Sequence, residues 1–445
     1  MRSTKMQRSW YWYDWANSAY ITTTATVIIG PYLTSLANNA ACPDLAAGAV
    51  CQTPVMLLGI FPVLPGALHP FLATLSTIIS AVLLLFVGAL VDRSPHPHRW
   101  LAGSAWIGAI AGSLMFFLAG DNWQLGAWLM IIGAFSFGAS VVVYDSILVR
   151  IAGPDERDRV SSRGWAFGYV GGGTLLVANF LLMSFYAQLG ITYEMAIRLS
   201  LLSAGLWWGA FTIIPVLGLR KLPKEVPAEV SAENPFAQLA HTFAEMKHYP
   251  QTLLFLAAFL FYNDGIQTVI VSSSLYAQFE LGFSSDKVML TFLVTQFVAI
   301  AGALLFGRVA AKLGAKKTVL GGIVIWLGVV AVGFLLPSGI FGALIGLGAA
   351  IGLVMGGTQA LSRSMYSQLI PLGKESEYFS FYQAMERGTS WLGTLTFALV
   401  FQFSQSYRLA LVALVIFFVI GGLLLSRVNM RKGILDAGNA LPKVI

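Results

Sequence analysis

The chain sets acids and bases where apolar residues are expected. "FYNDGIQT" places Asn263, Asp264 and Gln267 about halfway along a greasy run. "GGTQALSRS" brings Gln359 and Arg363 into a second, and a third carries Glu386 and Arg387 side by side. Near the N-terminus, "WYWYDWANSAYITTT" holds Asp14, Asn17 and Tyr20 ahead of three threonines, and "YDSILVR" ends a further run with Asp145. A charge at bilayer centre costs ~2.5–3.5 kcal/mol, so such groups face water, a partner or a ligand. A carboxylate there suits proton uptake and release, or the grip of an amine. Arg363 and Arg387 suit an anionic group. Asn17, Tyr20, Asn263, Gln267 and Gln359 offer neutral hydrogen bonds. Asp264 is the expected coupling or amine-binding group, with Glu386 next in line.

Each assignment has a structural alternative. Asp14 lies near one membrane edge, where water alone would satisfy it. Glu386 and Arg387 point ~100° apart on a helix, so a pair with another helix competes with a ligand role. Thr22–Thr24 are expected to bond backbone or a neighbouring helix. Asp264 has an alternative as the permanent partner of an arginine. No nucleophile–base pairing and no Walker motif stands in the sequence, so neither enzyme chemistry nor ATP drive is expected, and no cofactor. His96 and His98 flank Pro97 without further ligands, so no metal site is expected. "GLGAAIG" lacks the Rossmann spacing and reads as packing, and Gly164, Gly168 and Gly172 recur at the spacing of close helix contact.

These residues need helices to hold them. The chain is 57% hydrophobic and 11% charged, with mean hydropathy +0.74; soluble chains carry about a quarter charged residues. Twelve apolar runs of membrane-crossing length follow one another, the first about 13–36 and the eleventh about 378–404. No cleavable leader is read, so the first run is expected to remain. If alternate loops are cytoplasmic, starting with the N-terminus, all but five of the 27 Lys and Arg lie there or at adjoining helix ends. Arg198, Lys287 and Arg408 fall outside, and Arg363 and Arg387 within helices. This bias predicts cytoplasmic termini. It also accounts for the +7 charge without nucleic-acid binding. Cys42 and Cys51 share the first outer loop, either bridged or as two unpaired small residues.

The expected fold is an all-α polytopic membrane protein, with twelve transmembrane helices in two pseudo-symmetric six-helix bundles. Residues 1–219 would form the first bundle, 220–250 a cytoplasmic linker, 251–427 the second bundle and 428–445 a cytoplasmic tail. In the linker, Asn234 and Pro235 would start a short amphipathic helix through Phe236, Leu239, Phe243 and Met246. "GALVDR" at Gly88 is echoed by "GRVAAK" at Gly307, and Ser146 by Ser364 at nearly the same separation. The first, fourth, seventh and tenth helices are polar, while the third, sixth, ninth and twelfth are apolar. One helix of each triplet should therefore line a shared cavity.

"GALVDRSPHPHR" resembles the loop signature of the major facilitator superfamily. Gly88, Asp92, Arg93 and Arg99 match, while the usual second glycine is missing and Ala311 replaces the acid of the C-terminal copy. "YDWANSAY", "RVSSRGWAFGYVGGG", "YNDGIQT" and "GGTQALSRSMYSQLIP" resemble the vacuolar (autophagy-related) effluxer family within it, whose fungal members export amino acids. "YFSFY" and "WLGT" depart from that family around the eleventh helix. The resemblance implies a secondary active transporter in the cell (inner) membrane, working as a monomer by alternating access. It implies transport, not which compound; acids and bases in one cavity suit export of a small polar solute such as an amino acid or related zwitterion, coupled to protons, and suit an internally paired network equally well. The resemblance also implies a gate in which Gly88, Asp92 and Arg93 meet the end of a neighbouring helix through charge-assisted hydrogen bonds, with Arg150 or Arg163 as the partner of the acid and Asp145 nearby. A lipid translocase on the same fold is the alternative, followed by a membrane enzyme or a non-transporting receptor.

Overall fold

Lipid offers no hydrogen-bond partners, so a spanning chain must satisfy its backbone within each segment. The computed structural model does this with helices, and describes residues 3–44, 51–57, 59–92, 94–222, 244–388, 391–404 and 406–445. The first bundle holds α1 (Lys5–Tyr20), α2 (Ile29–Ala41), α3 (Pro65–Asp92), α4 (Pro97–Leu114), α5 (Trp123–Ile151), α6 (Arg157–Ser184) and α7 (Tyr193–Gly218). The second holds α8 (Pro250–Leu275), α9 (Ser285–Leu313), α10 (Ala315–Leu335), α11 (Phe341–Gln368), α12 (Glu375–Gly388), α13 (Trp391–Ser404), α14 (Tyr407–Ala413) and α15 (Val415–Arg427). A short α16 (Met430–Asp436) ends it. Proline at the first turn of α4 and α8, and Gly314 at φ 87 between α9 and α10, mark the boundaries.

Among the described residues ten helices are long and apolar enough to cross a membrane. The other two expected spans are the first and the eleventh. The first runs through α1 and α2, joined by a π stretch over Ile21–Ile28. Pro31 explains the widened turn: it has no N–H for the Val27 carbonyl and crowds it. Thr26 Oγ1 takes up the Ile21 carbonyl at 3.0 Å. The seventh span also leaves α geometry, at Tyr276–Glu280. The eleventh span is described as α12 and α13, on either side of residues 389–390, which lie outside the described residues.

The apolar cores divide at the linker. One joins Met246–Ile434 residues such as Phe259, Trp326 and Phe418, with Tyr169 reaching in. The larger cores of the first half gather around Trp10, Trp208 and Leu148, and around Leu33 and Trp123. The lipid-facing sides expose Val324, Leu335 and Ile110. The first loop holds more structure than expected: β1 (Val55–Leu57) pairs antiparallel with β2 (Phe61–Val63), Val55 opposite Val63. Val55 and Leu57 pack into the first-half core, and Cys42 is bonded to Cys51. In the linker, residues 223–243 lie outside the described residues, including most of the expected amphipathic helix. Its last apolar member, Met246, is buried in the second-half core.

Candidate functional site

The halves enclose a cavity of about 520 Å³. Its walls follow the first span from Asp14 to Thr26 and the seventh from Phe259 to Ala277. It thus runs toward the end that carries the disulfide loop. At the other end the halves are joined.

The floor is built on Arg363. α11 delivers this side chain from the second half, 3% exposed, into a nest of first-half groups. Its Nη1 lies 3.2 Å from Asp145 Oδ1 and its Nη2 3.4 Å from Asp14 Oδ2. Nε donates to Ser161 Oγ at 2.9 Å and Nη2 to the Ser161 carbonyl at 3.0 Å. The guanidinium lies within 4.9–5.5 Å of the Trp10, Tyr144 and Trp165 rings. Tyr144 donates to Asp14 Oδ2 at 2.6 Å. Gln383 Nε2 donates to Asp145 Oδ2 and to Glu386 Oε2, both at 3.2 Å. Two carboxylates of one half therefore share one guanidinium of the other. Removing one partner of such a buried set leaves uncompensated charge, at about 3–5 kcal/mol.

Small residues make this approach possible. A Cβ on Gly164 would meet Asp14 Oδ2, Trp10 and Arg363. Gly168 and Gly172 lie against Ser18 and Thr22, so the four-residue glycine spacing packs α6 onto the first span. Gly348, Gly352 and Gly356 likewise seat α11 on α9.

Below the floor, polar bonds join the halves. Arg157 Nη1 donates to the Ser367 carbonyl at 2.7 Å and Ser161 to the Ala360 carbonyl at 2.7 Å. Ser364 donates to Asp158 Oδ1 at 2.5 Å. Asp92, at the end of α3, accepts from the backbone N–H groups of Ser376 (2.9 Å) and Glu377 (2.7 Å). These are first-turn donors of α12 that lack a partner within the helix, and a carboxylate there also meets the positive end of the helix dipole. Gly88 lets α3 close on Ser376 and Ser380 of that helix.

This geometry is that of a two-halved carrier, and the comparisons agree. The family model "Vacuole effluxer Atg22 like" matches residues 2–438. The chain belongs to that family. Among curated relatives it is similar to the uncharacterized MFS-type transporter YxiO of Bacillus subtilis, 28% identical over 96% of this chain and 95% of that one. Autophagy-related protein 22-1 of Phaeosphaeria nodorum is 25% identical over 83% of this chain and 77% of its own. Among solved structures, the proton:xylose symporter XylE aligns with TM-score 0.69 and 13% identity, covering 96% of each chain. A bacterial homologue of the iron transporter ferroportin in its outward-facing state aligns with TM-score 0.67 and 13% identity, covering 95% of this chain and 98% of its own. The fold is the major facilitator fold, and the protein is an integral membrane transporter rather than an enzyme.

Within this effluxer-family fold the expected residues separate. Asp14, Asn17, Asn263, Gln267, Gln359, Arg363 and Glu386 line the cavity, Gln359 accepting from Tyr169 Oη at 2.8 Å. Asp264 does not. Asn263 and Gln267 face the cavity four residues apart, and Asp264 is turned about 100° from Asn263. It points to the eleventh span, where Oδ2 accepts from Gly393 N of α13 at 2.7 Å. Its Oδ1 has no partner among the described residues, and neither has the Thr268 hydroxyl one turn on. Tyr20 also departs, lying against Trp208 in the first-half core with ring centroids 4.9 Å apart. Arg363 is committed to the floor rather than held free for an anion, and Asp14 is buried there rather than solvated. Among the described residues the Thr23 and Thr24 hydroxyls have no hydrogen-bond partner, unlike the backbone or neighbouring-helix bonds expected of them. Asp92 spends both oxygens on the α12 backbone, not on Arg150 or Arg163, and Arg163 donates to Ser3 Oγ at 2.7 Å. Arg93 and the Arg387 side chain lie outside the described residues.

Sequence reading missed Arg157, Asp158, Ser161 and the aromatic nest of Trp10, Tyr144 and Trp165. One signal was present. "RDRVSSR" opens α6 with charges and hydroxyls that a plain membrane helix has no use for.

Proposed function

We propose that the protein is a secondary active transporter of a small zwitterion, an amino acid or close relative, driven by protons and exporting its substrate by alternating access. The carrying observation is the cavity floor, where Asp14 and Asp145 of one half hold Arg363 of the other. A zwitterion supplies substitutes for both sides of that contact: its carboxylate for the guanidinium, its ammonium for the aspartates. Its binding offsets part of the cost of parting them, which is the differential affinity a conformational change requires. When Arg363 withdraws, two carboxylates face one another with no cation between them, and one of them is the proton acceptor. This reading moves the coupling role from Asp264 to the Asp14–Asp145 pair. The effluxer family supports the direction, and the proton:xylose symporter of the same fold supports the coupling.

The termini and the 220–250 linker are assigned to the cytoplasm by the Lys and Arg distribution, with residues 1–219 and 251–427 as the two moving bodies and 428–445 as a cytoplasmic tail. The cavity then faces outward and the joined end inward. The protein works as a monomer in the cell membrane. The test is counterflow of labelled amino acids in proteoliposomes with and without a pH difference. Amino-acid exchange that becomes accumulation under a proton gradient is expected. An unchanged plateau under the gradient, or no exchange with any amino acid, would overturn the reading.

A further inference from the structure

A second recess lies away from the cavity, between the start of α4 and the end of α7, with a volume of about 630 Å³. The two helices touch farther along, where Trp208 packs at Gly108 and Trp106 Nε1 donates to the Gly209 carbonyl at 3.2 Å. Toward the joined end of the molecule they part. His96 and His98, rings 5.8 Å apart, stand at one side with Arg99, and Arg220 stands at the other. No carboxylate among the described residues lines the recess. Both arginines are exposed, and neither has an acid partner among the described residues. A Cβ on Gly103 would touch nothing, so the floor is open.

Two arginines and two imidazoles converging on an unfilled recess make a site for a phosphate, because guanidinium forks match phosphate oxygens. The recess is also amphipathic. Trp106 and Val216 form its inner wall, and the same helix faces continue into exposed Ile107, Ile110, Ile213 and Leu217. A soluble phosphate has no use for that track, whereas an acyl chain does. Basic recesses between helices at the membrane rim are where anionic headgroups settle.

We propose that this recess binds an anionic phospholipid, with the phosphate held by Arg99 and Arg220 and an acyl chain along α4 and α7. The transport chemistry does not enter this inference.

The test uses purified full-length protein in neutral detergent. Binding of phosphatidylglycerol, phosphatidylcholine and inorganic phosphate is followed by native mass spectrometry and thermal shift. Selective retention of phosphatidylglycerol is expected. Each arginine near a membrane surface contributes about fivefold, so R99Q/R220Q should weaken it about 25-fold. K247Q/R431Q removes the same charge from exposed positions outside the recess and should change affinity less than twofold. All four side chains are exposed, so the variants should keep wild-type melting temperatures without lipid. Equal binding of phosphatidylcholine, equal loss in the two double variants, or undiminished binding in R99Q/R220Q would overturn the proposal. Inorganic phosphate binding as tightly as the lipid would overturn the acyl-chain part and leave a soluble-anion site.

Discussion

Asp92→Asn keeps the shape of the α3–α12 contact and removes its charge. The carboxylate takes two backbone N–H bonds, at 2.9 and 2.7 Å, in the first turn of α12. Asn offers one acceptor, so one N–H loses its partner or meets an amide NH₂. Losing a charged hydrogen bond costs about 1.5–3 kcal/mol in a buried setting, and the dipole contact adds about 0.3–1. Asp92 is half-buried, which argues for the lower part of the range, about 2 kcal/mol. Because α12 belongs to the other half, this loss falls on the state in which that end is joined. The ratio of joined to parted states should drop about thirtyfold. Both native cysteines are in a disulfide, so a thiol placed at Ser162, buried between α6 and Gly307 of α9, reports alone. Its alkylation from the joined side should speed up by about that factor in D92N. An unchanged rate would mean that Asp92 caps α12 without holding the halves together.

Three further outcomes follow from the same geometry. Arg363→Gln should abolish transport and lower stability by about 3–5 kcal/mol, since Asp14 and Asp145 are left facing each other; adding Asp14→Asn should recover part of the melting temperature. Gly164→Ala should act directly on the same floor, because its methyl meets Asp14, Trp10 and Arg363; a loss of about 1–3 kcal/mol is expected by thermal denaturation. Asp264→Asn should cost only about 1 kcal/mol and retain proton-dependent accumulation, since an amide oxygen still accepts from Gly393. Loss of accumulation with an intact melting temperature would return the coupling role to Asp264.

The spans were legible because lipid imposes one rule on every helix. The cavity-facing set was legible in part for the same reason: Asn17, Asn263, Gln267 and Gln359 are too polar to face lipid. Rotational phase was not. Asp264 reads as the most exposed to function because it lies mid-helix, yet it sits one residue from the cavity-facing Asn263 and turns to α13. The pairing of Arg363 was equally hidden. Its partners come from α1, α5 and α6, far away in sequence, and only the packing of glycine-lined helices brings them together. Pro31 lies within the first span, but a proline alone does not distinguish a kink from a π stretch.

The most direct measurement of the central claim is a distance across the joined end. Spin labels at Gly153→Cys and Lys312→Cys sit on exposed positions of opposite halves. In wild-type protein at alkaline pH without substrate, one short distance should dominate. Adding a transported amino acid at acidic pH should populate a longer one, and Asp14→Asn/Asp145→Asn should do so without either. A distance distribution that stays the same in all these conditions would contradict the role of the Arg363 contact as the switch between states.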